Sequence, residues 1–355
     1  MTIISPVVVN DQNIDSSGVV PLIPPSALKN EFPASEELEI RIASYQDTIR
    51  AILDGTDGRM LAVVGPCSIH EPGAAIDYAR QLKQLALEVS SEIFVVQRAY
   101  FEKPRTTIGW KGMFQDPYLK MNGCSEVNVG ARMVREVALA ISELGMPIAT
   151  EVLDPYLIQY VDDLISWSCI GARTVESQLH RELASGLSSP VGCKNSTNGN
   201  PKGAIDAVES ANHPHGFWGM YSDGRVAWFP SKGNAYAHVV LRGGDKGPNC
   251  DQDSVSVAIA ELKRRNLRTS LVVDCSHGNS RKNYKNQGDV LTQVMGQRCA
   301  GNKDIVGFML ESNIMAGRQD IVLGRELVYG QSVTDACIDI DETKKLLHYA
   351  AALLR

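Results

Sequence analysis

The chain has 355 residues, of which 44% are hydrophobic and 21% charged, and its formal net charge is −6. This composition supports a substantial core and excludes a disordered chain. The acidic balance argues against general binding to nucleic acid or to membrane surfaces. The eight cysteines include no CxxC pair, and the sequence shows no signal peptide or apolar membrane span. We therefore expect a cytoplasmic protein with reduced thiols.

The first predicted element is an amphipathic helix. Apolar residues at helical spacing predict it from Ser35 to Leu53, and Gly55 ends it. Its apolar face consists of Leu38, Ile42, Tyr45, Ile49 and Ile52. We expect residues 1–60 as a whole to form an extension with a role in assembly or regulation.

From residue 61 onward, short apolar runs alternate with helix-like segments. The predicted strands are Leu61–Val64, Phe94–Val96, Pro147–Thr150, Ile165–Gly171, Pro190–Gly192, His238–Leu241, Leu271–Val273 and Val306–Leu310. Eight buried strands with helical crossovers predict an α/β fold, a (β/α)₈ TIM barrel over residues 61–355. No GxGxxG follows the first strand, which argues against an open dinucleotide-binding sheet.

One segment does not fit the alternating repeat. Residues 217–229 predict a β-hairpin that turns at Asp223 and Gly224. A hairpin between the fifth helix and the sixth strand is an insertion into the barrel. We expect it, like the N-terminal extension, to serve assembly or regulation.

A basic run follows the second predicted strand. From Arg98 onward, four cations lie within fourteen residues, and proline and glycine in the run discourage a helix. The simplest explanation is an anionic, phosphorylated ligand bound by Lys103, Arg105 and the Thr106 hydroxyl. A solvated basic surface loop is the alternative.

Polar residues follow nearly every predicted strand, and the carboxyl ends of barrel strands meet on one face. The cations among them are Arg98, Lys103, Arg105, Arg173, Lys194 and Arg242, and Glu151 follows the third strand. So many cations suit two phosphorylated substrates, or one substrate that carries both phosphate and carboxylate.

A second group among these strand-end residues consists of Cys67, His277, Glu311 and Asp335. One thiolate, one imidazole and two carboxylates suit Mn²⁺, Fe²⁺, Co²⁺ or Zn²⁺ better than Mg²⁺. Taken singly, each has a structural alternative: a buried thiol, a hydrogen-bonded histidine, an ion-paired glutamate and a helix-capping aspartate.

Several motifs together resemble the class I 3-deoxy-D-arabino-heptulosonate-7-phosphate (DAHP) synthases, in particular the tyrosine-sensitive type. The motifs are Gly65-Pro-Cys-Ser-Ile-His70, Lys103-Pro-Arg-Thr-Thr107, Gly109-Trp-Lys-Gly112, Gly171-Ala-Arg-Thr174, Glu176-Ser-Gln-Leu-His-Arg-Glu182, Leu241-Arg-Gly-Gly244, Asp274-Cys-Ser-His-Gly-Asn279 and Tyr329-Gly-Gln-Ser-Val-Thr-Asp335. The resemblance extends from about residue 22 to the C-terminus. It implies condensation of phosphoenolpyruvate with erythrose 4-phosphate, the first step of the shikimate pathway.

The resemblance also implies a role for each site residue. Cys67, His277, Glu311 and Asp335 would hold one divalent metal. Our own mechanistic hypothesis makes Lys103, Cys67 and His277 catalytic, with Lys103 as the proton donor to the new alkoxide and a metal-bound water as the alternative donor. Phosphoenolpyruvate would be bound by Arg98, Lys103, Arg173, Lys194 and Arg242, with Glu151 in the same site. Arg105 and Thr106 would take the phosphate of erythrose 4-phosphate. The family commonly has Phe, Gly and Asp where this chain has Cys193, Ser196 and Asn198, which affects local packing and leaves Lys194 in place.

Feedback inhibition by tyrosine and a homodimeric or homotetrameric assembly are further implications of the resemblance. The effector pocket would be lined by Gln159, Leu183, Leu187, Ser188, Phe217 and Gly219. Relatives sensitive to phenylalanine commonly have Ser at the position of Gly219, and a glycine leaves room for a phenol hydroxyl. Relief of crowding within a strand is the structural alternative for this glycine.

Two other functions are compatible with the same residues. A 3-deoxy-manno-octulosonate-8-phosphate synthase also uses phosphoenolpyruvate in a barrel, with arabinose 5-phosphate as its second substrate. The Lys-Pro-Arg-Thr-Thr run, the N-terminal extension and the hairpin favour the heptulosonate enzyme. A non-catalytic barrel that binds an effector is disfavoured because the full ligand and cation sets are present.

Overall fold

The structure is a computed structural model that describes residues 19–104, 108–121, 126–322 and 324–355. Two helices precede the barrel, α1 (Pro25–Glu31) and α2 (Glu36–Asp54). The Ser35 side chain accepts a hydrogen bond from the Leu38 amide at 3.2 Å, and Gly55 ends α2 in a left-handed conformation with φ 73°. The predicted helix is therefore confirmed, with both of its end residues. Helix α1 was not predicted.

Eight parallel strands form a closed barrel, which confirms the predicted (β/α)₈ fold. The strands are β1 (Met60–Gly65), β2 (Ile93–Arg98), β3 (Ile148–Val152), β4 (Ile165–Ile170), β5 (Val191–Lys194), β8 (Ala237–Leu241), β9 (Leu271–Asp274) and β10 (Ile305–Glu311). They pair in chain order, and β10 closes the barrel by pairing with β1. Each of them overlaps one of the eight predicted strands.

Helices cover the outside of the barrel. They are α3 (Pro72–Glu88), α4 (Val127–Glu143), α5 (Gln178–Gly186), α6 (Lys202–Ala211), α7 (Gln252–Arg264), α8 (Gln287–Cys299) and α9 (Ile340–Leu354). Between β3 and β4, the 3₁₀ turns Leu157–Tyr160 and Asp162–Leu164 replace an α-helix, and a third turn, Tyr284–Asn286, precedes α8. Among the described helices, none combines the length and hydropathy needed to cross a bilayer.

Alternate residues of each barrel strand point inward, as strand geometry requires. In the amino-terminal half of the barrel these residues are apolar. They include Leu61, Val63, Val96, Trp167, Val240 and Val272, all fully buried in one cluster. The next inward positions along several strands are charged, so the interior changes from apolar to ionic within one strand length.

Helix α2 closes the amino-terminal end of the barrel. Its Ile49, Ile52 and Leu53 belong to the same buried cluster as the inward apolar residues. The Leu53 carbonyl accepts a hydrogen bond at 2.7 Å from Ser270, the residue before β9. Gln46 Nε2 donates at 2.9 Å to the carbonyl of Ile165, the first residue of β4. Helix α2 thus closes the amino-terminal end, and access to the interior is from the carboxyl ends of the strands.

The predicted hairpin is confirmed. Strands β6 (Gly216–Met220) and β7 (Val226–Pro230) pair antiparallel, and Gly224 occupies the turn with φ 86°. The two remaining strands, β11 (Met315–Arg318) and β12 (Gln331–Ser332), form a small separate sheet after β10. The division into an extension over 1–60 and a barrel over 61–355 stays a prediction.

Candidate active site

A cavity of about 390 Å³ opens at the carboxyl ends of the barrel strands. Nine of the residues predicted from the sequence line it: Arg98, Lys103, Glu151, Arg173, Lys194, Arg242, His277, Glu311 and Asp335. Cys67 is fully buried in contact with two of these residues. Arg105 and Thr106 lie outside the described residues. The barrel topology thus brings together side chains that are widely separated in sequence.

The Cys67 thiol forms a cluster with two carboxylates. Ligand atoms of Cys67, Glu311 and Asp335 all lie within 4.8 Å of one another. The Lys103 ammonium lies 2.7 Å from Cys67 Sγ and 3.1 Å from Asp335 Oδ2. Burial, together with the charge of Glu311, raises the pKa of Cys67 to about 12, although Lys103 opposes this. A sulfur and two carboxylates at this spacing fit a divalent transition metal, which would replace the thiol proton.

His277 lies beside this cluster with its ring orientation fixed. Nδ1 is 3.0 Å from Asp274 Oδ2 and 2.7 Å from Ser276 Oγ, while Nε2 is 3.6 Å from Glu311 Oε1. A proton on Nδ1 leaves the lone pair of Nε2 directed towards Glu311, the arrangement common for a histidine that ligates a metal. The residue also has φ 54°, in the left-handed region that non-glycine residues seldom adopt.

Asp274 stays ionised in this surrounding. Burial by itself favours the neutral acid, but the neighbouring His277, Lys194 and Arg98 hold the pKa of its carboxyl well below the usual range. Ser276 Oγ donates to Asp274 Oδ1 at 2.6 Å and can therefore accept a proton from His277 Nδ1, and the negative charge of Asp274 favours a proton on that nitrogen.

Arg98 is fully buried, and three of its five N–H donors have partners among the described residues. Nε donates to the Pro66 carbonyl at 3.0 Å, and Nη2 donates to the Cys67 carbonyl at 3.1 Å and to Glu311 Oε1 at 2.9 Å. Nη1 is buried without a hydrogen-bond partner among the described residues. A buried, unpaired guanidinium nitrogen is costly unless a ligand completes it, and an anion is the natural partner.

Lys194 and Glu151 form a second buried ion pair at the cavity. Lys194 Nζ donates to Glu151 Oε2 at 3.1 Å. Burial raises the pKa of Glu151, but the charges of Lys194 and Arg98 outweigh it and lower the pKa to about 2. Glu151 therefore neutralises part of the cationic site and orients the Lys194 ammonium. Arg173 and Arg242 lie nearer to solvent at the wall of the cavity.

Sequence reasoning did not assign a site role to several polar residues. Tyr100, Lys282 and Arg318 line the cavity, and Asp274 supports His277 from behind. Strand alternation could have identified Tyr100, which is two residues beyond Arg98 and therefore faces the same side. Lys282 lies in an irregular segment after β9, and Arg318 is the last residue of the short strand β11, so neither belongs to a stretch long enough for periodicity to indicate a direction.

A second cavity, of about 280 Å³, lies beside the hairpin. Leu187 and Phe217 from the predicted effector set line it, together with Phe229. Gly219 is next to this wall, because a Cβ built on it would lie 3.1 Å from the Phe229 ring. The other predicted effector residues, Gln159, Leu183 and Ser188, are not part of the cavity lining.

Comparison with known proteins identifies the family to which this barrel and its cationic cavity belong. The sequence profile of the DAHP synthetase I family matches residues 31–348. The chain is 49% identical to the Tyr-sensitive phospho-2-dehydro-3-deoxyheptonate aldolase of Escherichia coli (strain K12), over 92% of this chain and 91% of that protein. It is 46% identical to the Phe-sensitive form from the same strain, over 93% of each chain. The chain belongs to the DAHP synthetase I family.

Structure comparison agrees with this assignment. A phospho-2-dehydro-3-deoxyheptonate aldolase from Francisella tularensis SCHU S4 matches with a TM-score of 0.92 at 46% identity, over 95% of this chain and 97% of that one. The DAHP synthase activity expected from the motifs is thus confirmed at the level of the family. Both Tyr-sensitive and Phe-sensitive members are among the relatives.

Proposed function

We propose that the chain condenses phosphoenolpyruvate with erythrose 4-phosphate and water to give DAHP and phosphate. The observation that carries this proposal is the charge of the cavity. Among the described lining residues, seven cationic side chains face three carboxylates. Two substrates that each carry one phosphate, one of which also has a carboxylate, would match this excess of positive charge.

The cations have a mechanistic purpose beyond affinity. Two phosphorylated substrates repel each other, and fixed cations between them lower the cost of bringing the reacting carbons together. Arg98, whose Nη1 has no partner among the described residues, and Lys194 would hold phosphoenolpyruvate. Arg105 and Thr106 would take the phosphate of erythrose 4-phosphate, as the resemblance implies.

We assign the metal site to Cys67, His277, Glu311 and Asp335. A metal held by these residues would supply Lewis-acid chemistry for the aldehyde of erythrose 4-phosphate. The thiol among the donors favours Mn²⁺, Fe²⁺, Co²⁺ or Zn²⁺ over Mg²⁺. Asp274 keeps His277 in the tautomer that offers Nε2, and Lys103 lies against both Cys67 and Asp335.

The reaction forms one carbon–carbon bond and releases one phosphate. C3 of phosphoenolpyruvate attacks the aldehyde carbon, and Lys103 gives a proton to the new alkoxide. Water adds at C2, and the phosphohemiketal so formed loses inorganic phosphate from the same carbon. Arg98 and Lys194 would stabilise the charge on the departing phosphate.

An assay of phosphate release with both substrates, before and after chelation, tests this proposal. Release should require both substrates, stop with a chelator and return with a divalent transition metal. Replacing erythrose 4-phosphate by arabinose 5-phosphate should abolish it. Equal or greater release with arabinose 5-phosphate would instead support the octulosonate reaction, and no release with either sugar would contradict both.

We further propose that tyrosine inhibits the enzyme at the cavity beside the hairpin. Phe217 and Phe229 have ring centroids 5.8 Å apart and nearly parallel planes, so they offer an apolar wall to an aromatic ring. Lys232 lines the same cavity and could pair with the carboxylate of an amino acid. The remaining predicted residues, Gln159, Leu183, Leu187, Ser188 and Gly219, would complete the pocket around a bound effector.

Titration with tyrosine, phenylalanine and tryptophan tests this regulation. We expect tyrosine to inhibit most strongly, and Gly219→Ser to shift the preference towards phenylalanine. The added Cβ would lie 3.1 Å from Phe229, so the substitution acts directly on the cavity wall. Insensitivity of the wild-type enzyme to all three amino acids would leave the hairpin with a purely structural role.

We also propose a homodimer or homotetramer in the cytoplasm, with no nucleic acid or membrane as a partner. The outer face of the hairpin exposes Trp218 and Trp228, which pack edge to face with centroids 5.0 Å apart. Paired exposed tryptophans are typical of an interface. Sedimentation of the purified enzyme should show an assembly larger than one chain, and a monomer at all concentrations would contradict this.

A further inference from the structure

Tyr100 occupies the floor of the active-site cavity, where it meets two cations at once. The Arg98 guanidinium carbon lies 3.7 Å from the centroid of the Tyr100 ring, and Lys194 Nζ lies 5.0 Å from it. The ring is almost completely buried and still lines the cavity. Both cations therefore contact the ring in a site from which most water is excluded.

The ring is electrostatically suited to this position. Arg98 and Lys194 are both buried and positively charged, so they repel each other. Each already has one carboxylate partner, Glu311 for Arg98 and Glu151 for Lys194. A third carboxylate here would cancel the positive charge that an anionic substrate needs. The negative face of an aromatic ring attracts both cations without adding a formal charge.

The hydroxyl group fixes the orientation of the ring. Tyr100 Oη lies 2.9 Å from Cys169 Sγ on β4, and Lys194 Nζ donates to it at 3.4 Å. With Lys194 donating, the phenol proton is directed to the sulfur. Burial and the neighbouring Cys169 raise the pKa of Tyr100 well above its usual value, so the phenol stays neutral. Contacts to β2, β4 and β5 thus converge on this one side chain.

We propose that Tyr100 is a positioning residue for phosphoenolpyruvate, acting by holding Arg98 and Lys194 at the separation that the substrate requires. This inference rests on the proposed function and adds one residue to the substrate site. Arg98 lines the cavity and its buried Nη1 has no partner among the described residues, so a rotation of the guanidinium would redirect a donor that a ligand could complete. The ring face, packed 3.7 Å from the guanidinium carbon, opposes that rotation.

Three substitutions of Tyr100 in the metal-loaded enzyme separate the ring face from the hydroxyl. Tyr100→Leu should raise both the KM and the calorimetric Kd for phosphoenolpyruvate about 10- to 100-fold, the loss expected for two desolvated cation–π contacts. Tyr100→Phe keeps the ring face, so both constants should stay within about threefold of wild type. Tyr100→3,4,5-trifluorophenylalanine keeps the shape and weakens the face, so its affinity should fall several-fold below that of Tyr100→Phe. The KM for erythrose 4-phosphate should change less than about twofold throughout.

Tyr160→Leu is the matched control. Tyr160 is also buried and donates its hydroxyl to a backbone carbonyl, that of Ile23, but it does not line the cavity. Its removal should lower stability and leave the KM for phosphoenolpyruvate unchanged.

Several results would overturn the role of Tyr100. If Tyr100→Phe and the trifluorinated variant bind phosphoenolpyruvate with equal affinity, the role of the ring face is contradicted. This comparison does not depend on whether Tyr100→Leu folds. The role is also contradicted if folded Tyr100→Leu enzyme loses affinity equally for both substrates. The same holds if its loss of phosphoenolpyruvate affinity is no larger than that of the Tyr160→Leu control. Wild-type enzyme that neither binds phosphoenolpyruvate nor releases phosphate would contradict the proposed function itself, and the role of Tyr100 with it.

Discussion

The two halves of the barrel interior are built by the same strands but have opposite chemistry. Near the amino-terminal ends, Val63, Val96 and Trp167 pack with helix α2 into a sealed apolar cluster. Two residues further along β2 the inward position is Arg98, and at the same level Glu151 and Lys194 form a buried ion pair. Strand alternation supplies inward positions equally to both halves. The difference therefore lies entirely in which residues occupy them.

The comparison suggests a division of labour. Apolar burial contributes directly to stability, whereas each buried charge loses hydration that its partners only partly restore. In the charged half, Arg98 Nη1 has no partner among the described residues, and a thiol and two carboxylates lie within 4.8 Å of one another. An active site built this way is stabilised by the apolar half, and its own groups are completed by ligands.

The largest expected effect comes from removing the thiol of the charged half. Cys67→Ala should lower kcat/KM about 10³-fold or more because the metal loses a ligand and several kcal/mol of transition-state stabilisation. Metal content by mass spectrometry and phosphate release together check this. Cys250→Ala removes another buried thiol, outside the cavity, and should keep both metal and activity. A metal-free Cys67→Ala enzyme with full turnover would show that Cys67 is not a ligand.

The apolar half should respond in the opposite way. Ile52→Ala leaves a cavity between α2 and the barrel floor and should lower the free energy of unfolding by about 2–5 kcal/mol. The KM for either substrate should not change, because α2 contacts the opposite ends of the strands. Urea unfolding and steady-state kinetics measure the two quantities. Ile40→Ala, an exposed position on the same helix, should alter neither. A raised KM in folded Ile52→Ala enzyme would mean that the two halves are coupled.

A smaller effect should appear with pH, from a histidine inside the apolar half. Trp167 Nε1 donates to His238 Nε2 at 3.2 Å, and His238 Nδ1 lies 3.0 Å from the Tyr236 carbonyl. Burial lowers the pKa of His238 to about 4, against about 6.5 in an unfolded chain. Between these values the unfolded state binds a proton that the native state does not. Stability should therefore fall as the pH drops from 6.5 towards 4, by about 2–3 kcal/mol from this residue.

The variant His238→Gln isolates that contribution. Urea unfolding at pH 7 and pH 4.5 should show a smaller loss of stability on acidification than in wild type. His213→Gln, at an exposed position, should lose as much as wild type. An unchanged pH dependence in His238→Gln would show that the buried imidazole is already protonated in the native state.

Local patterns were sufficient to predict much of this structure. The apolar runs identified all eight barrel strands, and Ser35 and Gly55 marked both ends of α2, because these signals depend on neighbouring residues alone. Asp223 and Gly224 located the hairpin turn for the same reason. The convergence of the strand-end cations in one cavity followed from barrel topology once the strands were known.

Features that depend on long-range packing were not predicted. The apolar face of α2 was evident from its periodicity, but the surface that it covers exists only when the barrel has closed. The sequence does not indicate that Tyr100 contacts both Arg98 and Lys194, because these residues meet across two different strands. Nor does periodicity indicate that Lys282, in an irregular segment, and Arg318, at the end of the short strand β11, line the cavity. Pairwise contacts between distant parts of the chain decide all three.

The position of α2 also has a consequence for the order in which the molecule assembles on the ribosome. The helix is synthesised before every barrel strand, yet its Ile49 and Ile52 share a cluster with Val306 and Met309 of the last strand. Until β10 has emerged and paired with β1, the nascent chain has no complete surface on which this helix can be buried. A helix made before the whole barrel is thus among the last elements to complete its packing, and its apolar face stays available to chaperones for most of translation.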